Sequence, residues 1–119
     1  MAISKSARDI IISGIKGLED KKAEDIKIID ISEISVMADA IVVASGNNKN
    51  QIQAMSDEVE ENLRKDNIHH LNIEGYDNAN WILLDYNDVI FHLFDKENRN
   101  FYDLERLYRD GKLIDHNDL

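Results

Sequence analysis

Hydrophobic residues recur at helical spacing in two long stretches of the first 65 residues. The first stretch consists of Ile3, Ala7, Ile10, Ile11, Ile15 and Leu18. Its spacing predicts an N-terminal helix that Ser4 or Ser6 caps. The second stretch follows one stripe of a further helix and consists of Ile52, Met55, Val59 and Leu63. Gly14 weakens the first helix, and we interpret it as the point where that helix closely approaches a sheet.

Five shorter segments have the composition or the alternation of β-strands. Residues 23–31 are rich in β-branched side chains, and residues 39–45 form a continuous apolar run. Such a run is typical of a strand that is covered on both faces. Residues 68–73 predict a third strand. Residues 80–85 and 89–94 predict two more, and their short connection favours a tight antiparallel hairpin.

A last helix is predicted over residues 99–109, where apolar side chains again follow the helical period. Gly111 is expected to end this helix. The side chains along its apolar side are Phe101, Leu104 and Leu107 or Tyr108.

The order of these elements predicts one domain over residues 1–110. A helix, two strands, a helix, three strands and a helix make a single mixed five-stranded sheet with flanking helices, an α/β (α+β) fold. With 119 residues the chain is long enough to bury one core. Residues 111–119 are polar, and we expect a frayed tail there.

Acidic residues are unevenly distributed along the chain. The formal net charge is −10, and residues 31–94 hold eleven acids but only three bases. Between Lys65 and Lys96 there are six carboxylates and no lysine or arginine. A negative surface over the sheet suits a basic partner and repels the phosphate backbone of nucleic acids. We therefore expect a basic protein partner and no direct requirement for nucleic acid.

The residue types that carry metal and nucleophilic chemistry are scarce or badly spaced. Cysteine is absent, which excludes disulfides and thiolate ligands. His69 and His70 are adjacent, so on a strand they point to opposite faces, while His92 and His116 lie elsewhere in the sequence. No Walker, G-x-G-x-x-G or G-x-S-x-G pattern occurs. We expect no metal, no cofactor and no catalytic residue.

No stretch of the sequence predicts a targeting or membrane segment. The first ten residues lack both the apolar core of a signal peptide and the arginines of a transit peptide. No apolar run approaches the ~20 residues of a membrane span. The expectation is a cytoplasmic protein with no membrane partner.

One strand face combines aromatic and acidic side chains. Trp81, Leu83 and Asp85 share a face because side chains alternate along a strand. Burying an unpaired carboxylate is costly, so this face is either paired internally, with Arg99 as the partner, or partly open. An open face presents an aromatic anchor rimmed by acids, which suits a protein interface. His92 fits either a structural role within the sheet or a role in the interface.

Two consecutive motifs resemble the RsfS/Iojap family of ribosomal silencing factors. Residues 81–94 read W-I-L-L-D-Y-N-D-V-I-F-H-L-F, and residues 99–108 read R-N-F-Y-D-L-E-R-L-Y. Residues 38–46 are similar to the strand and turn that precede these motifs in the family. The resemblance covers residues 4–110, with Tyr108 where the family usually carries tryptophan.

The resemblance implies both a fold and a function. The family fold is a nucleotidyltransferase-like sheet without the catalytic carboxylates. Family members bind the large ribosomal subunit through its fourteenth protein, at the intersubunit face, and self-associate when free. They block joining of the small subunit and so lower translation when nutrients are scarce. The expected partners are thus the large subunit and a second copy of the chain.

The residues expected to bind the partner lie on the two matching motifs. Those expected to make the contact are Trp81, Leu83, Asp85, His92 and Phe94. Those expected to form or support its rim are Arg99, Tyr102, Glu105 and Tyr108. Two other functions stay open: a homodimeric scaffold, and a metal-dependent nucleotidyltransferase-like enzyme that uses Asp39, Asp85 or Asp88.

Overall fold

The fold is a mixed sheet with two long helices on one face and two short helices on the other. The computed structural model describes residues 3–115, 117 and 119. Four residues of the predicted domain and tail therefore lie outside the described residues: Met1, Ala2, His116 and Asp118. The helices of the described residues are α1 (Lys5–Asp20), α2 (Lys49–Lys65), α3 (Lys96–Tyr102) and α4 (Leu104–Leu107). Their strands are β1 (Glu24–Asp30), β2 (Ala40–Gly46), β3 (Asn72–Glu74), β4 (Trp81–Asp85), β5 (Val89–Asp95) and β6 (Lys112–Ile114).

Both long helices begin at a polar cap. The Ser4 hydroxyl accepts a hydrogen bond of 3.1 Å from the N–H of Ala7, and the side chain of Asn48 accepts one of 2.8 Å from the N–H of Gln51. These bonds satisfy N–H groups that the first helical turn leaves without an internal partner. The apolar stripes predicted from the sequence are the buried faces of α1 and α2, which confirms both helices.

Gly14 marks a close approach of α1 to the sheet. A Cβ at this position would lie 2.3 Å from Cζ of Phe91, whose ring is fully buried on β5. Glycine is therefore required here by space. The predicted helix–sheet approach is confirmed.

The sheet has the strand order β3-β4-β5-β2-β1-β6. β2 and β5 are parallel, and the other neighbouring pairs are antiparallel. Every residue of β2 is buried, which confirms a strand covered on both faces. β4 and β5 form the predicted antiparallel hairpin. The fold class is confirmed, with six strands in place of the predicted five.

Alternation along the strands divides the core into two layers. α1 and α2 cover the larger layer, whose sheet residues include Ile28, Val42, Ile82, Leu84, Phe91 and Leu93. We call the other side of the sheet the open face, because α3 and α4 cover only part of it. Leu104 and Tyr108 pack there on a smaller cluster that includes Ile29, Ile41, Val43 and Phe94.

β3 is shorter than the strand that the sequence predicted over residues 68–73. Pairing with β4 is limited to Asn72–Glu74. Ile68 instead closes the end of α2, since its N–H donates a 2.8 Å hydrogen bond to the carbonyl of Leu63. Asn67, with a φ of 62°, turns the chain for this bond.

The single helix predicted over residues 99–109 is wrong, because the chain forms α3 and α4 instead. The break lies at Asp103, which is left-handed with a φ of 44° and whose carboxylate caps α4. Of the side chains predicted on its apolar side, Phe101 and Leu107 are 79% and 69% exposed, whereas Leu104 is buried and Tyr108, the alternative to Leu107, is half-buried. The kink thus redirects the apolar side of this segment.

β6 is a strand that the sequence did not predict. It pairs antiparallel with β1, with Leu113 opposite Ile29. Gly111 does not end a helix but passes close to β1, where a Cβ would lie 2.8 Å from the carbonyl oxygen of Asp30. Where the sequence predicted a frayed tail after residue 110, Lys112–Ile114 extend the sheet.

Candidate partner-binding surface

The β4–β5 hairpin arranges six side chains of the open face in three rows. Directly opposed residues of an antiparallel pair project to the same face. The structure therefore brings together the five side chains predicted to make the partner contact and adds Ile90. The three opposed pairs are Trp81 with Phe94, Leu83 with His92, and Asp85 with Ile90.

Trp81 lies at the centre of an aromatic cluster. Its ring centroid is 5.0 Å from that of Phe94, 4.5 Å from that of Tyr102 and 5.8 Å from that of His92. These separations fall in the favourable range for aromatic pairs. Trp81 is only partly buried, so the cluster holds its indole in place at the surface. A partner that docks there meets an ordered anchor and loses little side-chain entropy.

His92 is neutral and orients the indole. Burial lowers the pKa of His92 from 6.5 to about 4, because the charged ring would lose its hydration. Its Nδ1 accepts a 3.0 Å hydrogen bond from Nε1 of Trp81, which leaves the ring proton on Nε2. His92 therefore supports Trp81 and offers no positive charge to a partner.

Asp85 lies half-buried at the third row without a cation. Its Oδ1 accepts a 2.8 Å hydrogen bond from the backbone N–H of Asn87, which closes the hairpin turn. Glu74 lies on β3, opposite Leu83. Among the described residues, no ion pair involves Glu74, Asp85 or Asp88. The rim of the open face beside β3 and β4 is thus negative and is not neutralised by a salt bridge.

One interpretation of the sequence paired Arg99 with Asp85, but the structure places Arg99 elsewhere. Its Nη1 donates a 2.8 Å hydrogen bond to Oγ of Ser45 on β2, and its Nε lies 3.3 Å from a carboxylate oxygen of Glu105. The side chain is buried between these groups. Arg99 thereby ties α3 and α4 to the centre of the sheet and supports the rim from within.

The nine predicted partner-binding residues differ in how much of each reaches solvent. Phe94 has no exposed surface, and His92 and Arg99 are each 7% exposed. These three lie beneath the surface and position other side chains. The remaining six are at least partly exposed: Trp81, Leu83, Asp85, Tyr102, Glu105 and Tyr108.

Ile90 is the member of this face that the sequence prediction left out. It is half-exposed and lies opposite Asp85 on one side and Ile41 on the other. The alternation along β5 already places it on one face with His92 and Phe94. We call Trp81, Leu83, Asp85 and Ile90, with Tyr102 at their edge, the partner surface.

The described part of the chain holds no group of three or more histidine, cysteine, aspartate or glutamate side chains placed to bind a metal ion. Asp39, one candidate metal ligand, accepts a 3.0 Å hydrogen bond from the N–H of Ser4. His69 and His70 lie on a loop, where Nδ1 of His70 is 3.2 Å from a Glu60 carboxylate oxygen. The helices there are too short or too polar to traverse a bilayer.

A family model described as "Ribosomal silencing factor during starvation", RsfS, matches residues 4–119. The chain belongs to the RsfS family. Among curated relatives, RsfS of Bacillus subtilis is 39% identical over 97 residues, which cover 82% of this chain and 82% of that protein. The resemblance carried by residues 81–94 and 99–108 is thereby confirmed.

Proteins of known structure and more distant curated relatives are also similar to the chain. A solved structure from Chromobacterium violaceum superposes with a TM-score of 0.83 at 30% identity and covers 90% of this chain and 86% of that one. The mouse protein named "Mitochondrial assembly of ribosomal large subunit protein 1" is 28% identical over 94 residues, covering 76% of this chain and 41% of that protein. The RsfS fold thus extends over most of the chain.

Proposed function

We propose that this protein represses translation by occupying the large ribosomal subunit. The partner surface docks on a basic ribosomal protein at the intersubunit face, the fourteenth protein of the large subunit. The bound protein then stands where the small subunit would join. Joining is blocked sterically, and translation falls in the cytoplasm when nutrients are scarce.

The observation that carries this proposal is the partly exposed indole beside a carboxylate that has no ion-pair partner within the described part of the chain. Trp81 is held by Phe94, Tyr102 and His92, and Asp85 on the same strand has no ion-pair partner among the described residues. A rigid aromatic anchor supplies affinity in an interface. An adjacent carboxylate selects a cationic partner, because pairing across the interface stabilises a charge that has no internal partner.

The distribution of charge favours a basic protein as the occupant. The chain carries a formal net charge of −10, and no lysine or arginine occurs from Asp66 to Asp95. The negative electrostatic field of such a protein speeds its encounter with a cationic surface, and this effect weakens as salt is added. The name of the mouse relative, which refers to assembly of the ribosomal large subunit, supports the choice of subunit.

The proposed mechanism is occupancy and requires no catalysis. A standard interface buries about 800 Å² on each partner, an area within reach of a 119-residue protein. We accordingly assign no catalytic residue, metal or cofactor. In the absence of ribosomes, the free protein self-associates, and the large subunit competes with this self-contact.

Sedimentation with purified bacterial large ribosomal subunits tests the proposal. We expect the protein to migrate with the large subunit at low salt and to be released progressively as the salt concentration rises. We also expect it to lower the yield of joined subunits when small subunits are added. Recovery of the protein only at the top of a low-salt gradient would contradict the proposal.

A further inference from the structure

The connection between β1 and β2, residues 31–39, exposes three large apolar side chains. Val36 is 102% exposed, Met37 77% and Ile34 48%. We call these three residues the loop tip. Leaving large apolar side chains in water on one short segment is unfavourable in the isolated protein, and a contiguous exposed set of this kind is typical of a contact site.

The loop is anchored on the open face rather than on the helix face. Ile31 and Ala38, at its two ends, are buried in the same cluster as Ile41 and Phe94. The N–H of Ile31 donates a 2.8 Å hydrogen bond to the carbonyl of Asp39, which closes the base of the loop. The base of the loop is therefore packed on the side of the sheet that carries the partner surface.

The loop also touches the hairpin turn next to the partner surface. The N–H of Asp39 donates a 2.8 Å hydrogen bond to the carbonyl of Asp88, in the turn that follows Asp85. Met37 is two residues from Asp39, so their Cα atoms are separated by at most about 7 Å. Ile90, opposite Asp85, packs against the cluster that holds Ala38. The loop tip and the partner surface are thus neighbours at one end of the sheet.

Acidic side chains lie along the boundary between the loop tip and the partner surface. Asp85 and Asp88 are both half-exposed there, whereas the carboxylate of Asp39 accepts the N–H of Ser4 at the start of α1. The ion pair at the base of the loop joins Glu33 to Lys112 at 3.5 Å, so this lysine is already paired within the protein. An occupant that covers both apolar areas must therefore place cationic groups between them.

We infer that the loop tip is a second contact for the same basic large-subunit protein that the partner surface binds. This inference rests on the proposed function and extends its interface past Asp85 and Ile90. Burial of Val36 and Met37 adds apolar contact area, while the intervening aspartates steer the partner and set its register. A second copy fits poorly, because a two-fold contact at this end would bring the two acidic boundaries together.

Binding of a double variant to large subunits tests the inference. We would measure the Kd of Val36→Ser/Met37→Ser for purified bacterial large ribosomal subunits at two salt concentrations. The expected result is a rise of about tenfold in Kd, with an unchanged salt dependence because no charge is altered. The matched control is Ile12→Ser on α1, which removes a 42% exposed apolar side chain from the opposite side of the sheet and should leave the Kd unchanged.

A charge variant provides a second measurement, in which the salt dependence of the Kd reports the charge of the partner. Met37→Lys places a cation against a basic partner, so it should weaken binding more at low salt than at high salt. Circular dichroism and urea unfolding verify that each variant is folded, which is expected because Val36 and Met37 are exposed.

The outcomes separate this inference from the proposed function. If the unaltered protein does not bind large subunits, the proposed function fails and the inference fails with it. If it binds, and the folded double variant binds with the same Kd, only the inference is overturned. If the double variant binds normally but light scattering shows that self-association is lost, the loop tip is a contact between copies, which also overturns the inference.

Discussion

The indole N–H of Trp81 donates a 3.0 Å hydrogen bond to Nδ1 of His92 on the neighbouring strand. The two residues are not directly opposed, because Trp81 lies opposite Phe94 and His92 opposite Leu83. The bond therefore runs diagonally across the open face. Protonation of His92 would replace its acceptor with a second donor facing the indole N–H, so the orientation of Trp81 depends on the neutral ring.

The stability of the protein should depend on pH through His92. In the unfolded chain this imidazole binds its proton near pH 6.5, but in the folded protein only near pH 4. Between these values the proton binds the unfolded state preferentially, so stability falls as the pH decreases and the effect levels off below about pH 4. From pH 7 to pH 5 we expect the titration of His92 to lower the free energy of unfolding by about 2 kcal/mol. Urea unfolding at each pH measures this change.

His92→Gln separates this effect from the titration of carboxylates. Glutamine retains an acceptor for Trp81 but has no group that titrates near neutral pH. The free energy of unfolding of this variant should therefore decrease less between pH 7 and pH 5. Identical pH profiles for the two proteins would show that His92 does not titrate as its burial implies.

Trp81→Ala should weaken binding to large subunits strongly. Removal of an interface anchor costs about 2 kcal/mol or more, which corresponds to a rise of about 30-fold in Kd. Ile12→Ala is the control, because it removes an exposed apolar side chain on the opposite side of the sheet. Equal effects of the two substitutions in sedimentation binding would argue against Trp81 as the anchor.

Asp85→Lys should reduce binding and leave the fold intact. The substitution removes one hydrogen bond in the hairpin turn, which costs about 1 kcal/mol of stability, and it reverses the charge that faces a basic partner. Asp20→Lys is the matched control, since it changes the net charge equally at an exposed position at the end of α1. If Asp85→Lys unfolds the domain by circular dichroism, the carboxylate is structural.

Arg99→Met should destabilise the protein by about 3 kcal/mol in urea unfolding. The change leaves Glu105 and Ser45 without the buried guanidinium that they contact, and an unpaired group of this kind is costly. Arg99→Met combined with Glu105→Leu should recover part of the loss, because it removes the orphaned carboxylate. A single variant as stable as the original protein would exclude the bridging role of Arg99.

Gly14→Ala should destabilise the protein although alanine favours helices. The gain in helix propensity is at most about 1 kcal/mol, whereas overpacking a core typically costs about 1–3 kcal/mol. The new methyl group would lie 2.3 Å from Cζ of Phe91. Thermal unfolding should show partial recovery when Phe91→Leu is added, because the atoms that clash are then absent.

Local periodicity was sufficient to predict the elements in which buried side chains recur at a regular spacing. The stripe of α1, the stripe of α2 and the alternation of the β4–β5 hairpin were all visible in the sequence, because each repeat reports one face packed against the core. The same alternation placed Trp81, Leu83 and Asp85 on one face. The family resemblance of residues 81–94 and 99–108 was equally a property of the sequence.

Long-range packing decided the rest. β6 pairs with β1 across some 80 residues of chain, and its three residues are too few to carry a local signal of that pairing. The kink at Asp103 arises where α4 turns to bury Leu104 on the open face.

The sequence by itself determined the fold class, the acidic sheet and the shared face of Trp81 and Asp85. It could not determine why Phe94 is fully buried while Trp81, directly opposite it on the same face, is partly exposed. Both are aromatic residues at equivalent positions of paired strands, so their local patterns are the same. Only the tertiary packing of α3 and α4, held by Arg99, decides which of the two rings is covered and which stays partly exposed.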